Sequence, residues 1–219
     1  MPEATLTIPP RMTALPRDKH GRPVPWFVAW IDGQPDFRVI RPGGIQQALK
    51  QRKCWLCGSR LGVNTAFVIG PMCVVNRNTA EPGSHLSCAK YAAVACPFLS
   101  NPSMRRRETG KPSDAHNPAG IMIERNPGAC AVWVSRRWST WSPARGQILI
   151  DIGDPVAVHW FAHGREATRG EVLESIGSGL PLLRAEAERS CDRAGALAAL
   201  EGMHAAALRY VPAQPGGAP

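Results

Sequence analysis

The chain has 219 residues, 44% of them hydrophobic, enough to bury a core in one large domain or two small ones. Lys and Arg outnumber Asp and Glu by 26 to 17, giving a net charge of +9, which points to anionic partners, nucleic acid above all, although an arginine bias in an Ala-, Gly- and Pro-rich chain produces the same charge without a partner. No stretch approaches the roughly 18 apolar residues of a membrane helix, which excludes an integral membrane role, and seven cysteines without a secretory leader argue against a secreted disulfide framework, so a soluble, cytoplasmic protein is expected.

Residues 1–25 hold Pro9, Pro10, Pro16, Pro23 and Pro25, which deny the backbone donors for a helix or central strand. An irregular arm is expected there, either disordered or lying along a partner or the domain surface. Residues 26–99 read as a hairpin followed by a metal-binding module. The aromatic and β-branched runs Trp26 to Ile31 and Phe37 to Ile40 flank Asp32-Gly33-Gln34-Pro35-Asp36, the composition of a hairpin loop. Ile45, Ala48 and Leu49 at helical spacing predict a short amphipathic helix over 45–53, leading into Cys54-Trp55-Leu56-Cys57-Gly58. Ala66 to Ile69 and Cys73 to Val75 are expected to be two strands around Gly70-Pro71. Pro82-Gly83-Ser84 then reads as a turn ending in an N-cap, with a helix from His85 to the break at Pro97.

Two thiols separated by two residues and followed by a glycine form a tight knuckle, whose backbone N–H groups can support the thiolates. His85 and Cys88, three positions apart at a helix start, share a face. Four donors of this kind fit one ion. Cys96 lies two helical turns past Cys88, about 12 Å along the axis, so it reads as packed; Cys73 is core or a replacement for His85. The plainer alternative is a set of buried free thiols beside a surface histidine. Over residues 54–96, the knuckle, intervening hairpin and helix-start pair resemble the treble-clef zinc finger. That resemblance implies a structural Zn²⁺ site of the Cys3His type at Cys54, Cys57, His85 and Cys88. The expected fold class is α+β: one compact domain with a treble-clef-like zinc module, an antiparallel sheet and C-terminal helices.

Residues 100–118 lack hydrophobic periodicity and read as a basic loop or linker, with Arg105, Arg106 and Arg107 as its densest positive charge. Residues 119–211 are expected to form antiparallel strands at 120–124, 129–138, 146–152 and 156–161, followed by helices. Around Arg136 and Arg137 the aromatic and basic residues interleave, a pattern that serves single-stranded nucleic acid; strand alternation instead makes Trp133 and Trp141 core, with Arg136 and Trp138 pointing elsewhere. Thr168-Arg169-Gly170-Glu171 has capping-box spacing and predicts a helix start. Gly177-Ser178-Gly179 is expected to interrupt that helix before a second stretch over 180–210, whose leucines can pack on the sheet or on another copy of the chain. Residues 212–219 are expected to be disordered.

Treble-clef scaffolds include the HNH nucleases, which take a histidine from the hairpin to activate water. No histidine lies between Cys57 and His85. His159 and His163 are too far apart on a strand to share an ion, and no base is evident beside Cys73 or Cys130 to make either a nucleophile. The chain also looks like uncharacterised proteins of phages and prophages of GC-rich bacteria, in runs such as residues 26–30, 67–73 and 171–176. The expected function is a non-enzymatic zinc protein binding nucleic acid through Arg105, Arg106, Arg107, Arg136 and Arg137. A protein-interaction module acting on a host or viral partner is the alternative, and a degenerate HNH-like nuclease the third reading.

Overall fold

Strand β5 (Cys130–Ser135) is buried along its whole length, so it needs cover on both faces. The computed structural model describes residues 7–107, 109–110, 112, 119 and 124–214. In it, β5 lies in an antiparallel sheet between β3 (Thr65–Ile69) and β8 (Pro155–Ala162), with the two-residue β9 (Arg165–Glu166) beyond β8. Strand alternation sends Phe67, Ile69, Ala131, Trp133, Trp160 and Ala162 to one face, where residues of α2 (Pro71–Asn76), α5 (Arg169–Glu188) and α6 (Arg193–Ala207) pack on them. Ala66, Cys130, Val132, Val134 and Phe161 face the other way, against α3 (Leu86–Ala95), whose Ala89 and Ala93 permit a close approach. The short α4 (Pro97–Ser100) follows α3.

Two smaller antiparallel sheets flank this core. Strands β1 (Val28–Ile31) and β2 (Gln34–Ile40) form a hairpin whose turn residues, Asp32 and Gly33, both have positive φ, the mirror-image turn that matches strand twist. Strand β7 (Leu149–Asp151) pairs with β4 (Asn78–Thr79) on one side and β6 (Ser139–Trp141) on the other. Helix α1 (Gly44–Gln51) buries Ile45 and Ala48 against Trp55. The molecule is thus mixed α and β with antiparallel sheets. No described helix is long and apolar enough to cross a membrane.

Four local expectations are corrected. Cys73 to Val75 is helical, so residues between the knuckle and α3 form β3, α2 and β4 rather than a hairpin: Pro71 occupies the first turn of α2, and Val74 and Val75 are buried in the main core. His85, not Ser84, is the extended N-cap of α3. Helix α5 runs unbroken through Gly177, Gly179 and Pro181. A side chain at Gly179 would meet Met72 at 2.8 Å, so the glycine lets α5 close on α2; the helical break falls instead after Glu188, where the Asp192 carboxylate caps α6 by accepting from the Gly195 N–H. Trp133 is core, but Trp141 is 48% exposed. The strand expected at 120–124 falls outside the described residues except for Glu124, as does the tail beyond Gln214.

In the N-terminal segment a 3₁₀ turn at Pro10–Met12 buries Met12, and Val24 is equally buried.

Candidate metal centre

The knuckle is built by backbone. The Cys54 N–H donates to the Ser59 carbonyl at 2.7 Å, the Gly58 N–H to the Cys54 carbonyl at 2.9 Å, and Lys53 pairs with Arg60 across the loop. Gly58 takes φ 75, a left-handed conformation that glycine adopts without a Cβ clash. Two further contacts carry residues 83–85 to this loop. The Trp55 N–H donates to the Gly83 carbonyl at 3.0 Å, and Ala66 of β3 pairs with Ser84. Gly83 is required there, because a Cβ would stand 2.1 Å from the Thr65 methyl. The start of α3 is thereby held beside the knuckle.

The consequence is a cluster of Cys54, Cys57, His85 and Cys88, whose four donor atoms all lie within 4.8 Å of one another and can hold a metal ion. The three cysteines are buried and His85 is half-buried. The Cys57 sulfur stands 3.4 Å from His85 Nδ1, close to the roughly 3.5 Å separating sulfur and nitrogen ligands on a tetrahedral zinc. His85 Nε2 lies 3.1 Å from the Arg60 carbonyl. A carbonyl only accepts, so the ring proton sits on Nε2 and the Nδ1 lone pair is left for an ion, the usual outer support of a metal-binding histidine.

Charge follows the same geometry. The Cys54 thiol is held far below its usual range, chiefly by the Cys57 and Cys88 S–H groups donating to it and also by the Cys57 and His85 backbone N–H groups, each 3.4 Å from its sulfur. Cys57 and Cys88 are pushed up, first because each donates its proton to Cys54. Cysteine binds zinc as the thiolate, so an incoming cation displaces the protons that the cluster's thiols hold.

Cys73 and Cys96 stand outside the cluster. Cys73 packs at the main core from α2, and burial pushes its thiol up to about 11; burial likewise pushes Cys130 up to about 12. Neither is a thiolate at neutral pH, so neither is an activated nucleophile. The Met12 side chain, with Ile8 and Leu15 beside it, packs on Cys54, Cys57, Cys88, Leu56 and Leu61. Sequence reasoning missed this lid; its only signal was apolar Ile8, Met12 and Leu15 among the prolines.

The five arginines assigned to nucleic acid fall into two groups. Arg105 pairs through its backbone with Arg125, the Arg106 guanidinium lies 5.0 Å from the Phe98 ring centre, and the Arg107 carbonyl accepts from Arg38 at 3.1 Å. Arg136 and Arg137 instead follow β5 directly, with the Arg136 Nε 3.4 Å from Asn64 Oδ1. All but Arg106 are exposed. The first group lies in the segment before β5 and the second immediately after it.

Compared with family models, with curated proteins and with solved structures, the chain matches none.

Proposed function

We propose that Cys54, Cys57, His85 and Cys88 hold one Zn²⁺ as a closed structural site, and that the basic scaffold it braces binds nucleic acid. The convergence of three sulfurs and a correctly tautomerised imidazole nitrogen within 4.8 Å carries the reading. Soft thiolates with one imidazole in a four-donor set suit zinc and disfavour Mg²⁺ and Ca²⁺, which take oxygen ligands. With four protein donors no place is left for a reacting water, so the role is to lock the knuckle to α3. The knuckle and helix start are the ligand-bearing parts of a treble clef; β3, α2 and β4 stand where its hairpin would be. Zinc binding in small fingers is worth about 10–16 kcal/mol, ample to fix this corner.

The nucleic-acid role is supported by the net charge of +9 and by the exposed Arg105, Arg107, Arg136 and Arg137. Two measurements test the proposal. Stripping metal with a chelator should lower the unfolding temperature, and zinc should restore it where Mg²⁺ does not. Affinity for DNA or RNA should fall steeply between about 50 and about 200 mM salt. Unchanged stability after complete metal removal would overturn the structural site, and a flat salt response would overturn the nucleic-acid role.

A further inference from the structure

A groove between α1 and β6 has a volume of about 570 Å³ and is lined by Gln46, Leu49, Lys50, Trp138, Trp141 and Ile148, with Thr140 and Ser142 at its side. That volume is in the range of sites for small organic groups, about 300–1,000 Å³. Both indoles are anchored by their polar edge. Trp138 donates its N–H to Thr65 Oγ1 at 3.1 Å, with its ring edge-to-face on Phe67, and Trp141 donates to Asn78 Oδ1 at 2.9 Å. With each N–H committed to the protein, what the rings offer a ligand is π surface. Trp141 leaves 48% of its surface open, an unusual exposure for the largest apolar side chain.

The charged side chain in the groove wall is a cation, and several more lie nearby along the chain. Lys50 is in the wall, the Arg52 guanidinium lies 5.6 Å from the Trp138 ring centre, Arg136 and Arg137 immediately precede Trp138, and exposed Arg145 lies in the loop after Trp141. Among the described residues no carboxylate lines the groove. Asp151, opposite Ser139 in the β6–β7 ladder, turns its carboxylate to the Gly153 N–H at 2.9 Å. Held aromatic faces bordered by cations are suited to unpaired bases, which stack whatever their sequence, with the phosphates carried by the basic side chains. A duplex keeps its bases stacked on one another and cannot use the faces.

We infer that this groove is a single-stranded nucleic-acid site, in which Trp141 and Trp138 stack bases and Lys50 and Arg52 take the adjoining phosphates. The inference rests on the nucleic-acid reading above and moves its centre from the arginine runs to the tryptophans. The site is also coupled to the metal centre by the chain itself: α1, which supplies Gln46, Leu49 and Lys50, ends at Gln51, and Arg52 and Lys53 lead directly into Cys54.

The test is quenching of tryptophan fluorescence, with fluorescence anisotropy of labelled strands in parallel, by oligothymidylate, oligouridylate and a duplex, using the full metal-loaded chain and Trp141→Ala and Trp141→Phe variants. Far-UV circular dichroism and metal content establish that the variants fold. The expected result is binding of the single strands in preference to the duplex, weakened about 5- to 100-fold by Trp141→Ala and largely restored by Trp141→Phe, as loss and return of one stacked base require. Single-strand binding that Trp141→Ala leaves unchanged would overturn the groove assignment while sparing the nucleic-acid reading. Absence of binding to any strand at low salt would overturn both. Equal affinity of the two single strands would identify the shared phosphate and base chemistry as the determinant, and a preference for one would assign that strand to the site; either supports the inference.

Discussion

Replacing Gly58 by alanine should disrupt the knuckle from inside. Its φ of 75 lies where an L side chain costs about 1–2 kcal/mol. A Cβ would also stand 2.6 Å from Cδ1 and 2.7 Å from Cγ of Trp26. Those atoms lie near the root of a rigid ring that is itself held, with the Arg41 guanidinium 4.5 Å and the Lys53 amine 5.4 Å from its centre and Trp55 edge-on at 6.3 Å. Relief requires moving the plate as a whole, an overpacking cost of about 1–3 kcal/mol. Together the two effects come to about 2–5 kcal/mol, a factor of about 30 to about 4,000 in the folded-to-unfolded ratio. Urea unfolding with zinc in excess should show this as a lower midpoint at an unchanged slope. In a Trp26→Ala background the added cost should shrink to the roughly 1–2 kcal/mol of the backbone alone. Gly62→Ala, where a Cβ meets nothing within 4 Å, is the matched control and should change little. A Gly58→Ala protein with the wild-type midpoint would refute the reasoning.

Three further outcomes are expected. The Arg165 guanidinium, followed by the Thr168 N–H, holds the Glu171 carboxyl down to about 2, below its ordinary 4.5; a depressed carboxyl stabilises the fold above the unfolded value, and that contribution is lost as pH falls from about 4.5 through about 2. Glu171→Gln should therefore flatten the acid limb of a stability–pH curve in that window, and Thr168→Ala should cost about 1 kcal/mol at neutral pH. Met12→Ala, at a position 1% exposed over the cysteines, should cost about 2–5 kcal/mol and speed metal loss to a chelator measured by absorbance. Because cysteine ligates zinc as the thiolate, metal uptake at neutral pH should release protons. Apparent affinity should then fall as pH is lowered, read by competition titration in two buffers of different ionisation enthalpy.

The metal-binding residues were legible in the sequence because each half is local. A Cys-x-x-Cys-Gly loop closes on its own backbone, and His85 with Cys88 needs only one turn of α3. What joins the halves was not legible, since the Trp55–Gly83 and Ala66–Ser84 contacts depend on β3 docking in the central sheet. The same dependence explains the misread segment at Cys73 to Val75. Two valines favour a strand, but burial against α5 and α6 outweighs that preference once Pro71 has started a helix. Gly179 read as a helix breaker because composition cannot reveal that Met72 needs the space. Trp141 read as core from strand alternation, yet β6 is an edge strand paired only with β7, and all three of its residues are exposed. For Cys73 to Val75 and for Gly179 a nearest-neighbour pattern competed with a partner far along the chain, and the distant partner decided.

Native mass spectrometry of the purified chain, with variants Cys57→Ser and Cys73→Ser, weighs the metal directly. One zinc per chain is expected for the unaltered protein and for Cys73→Ser, with the ion lost or strongly weakened in Cys57→Ser, since Cys57 lies in the four-donor cluster and Cys73 on α2 does not. Metal retained by Cys57→Ser but lost from Cys73→Ser, or a folded chain that takes up no zinc, would contradict the site on which the proposed role depends.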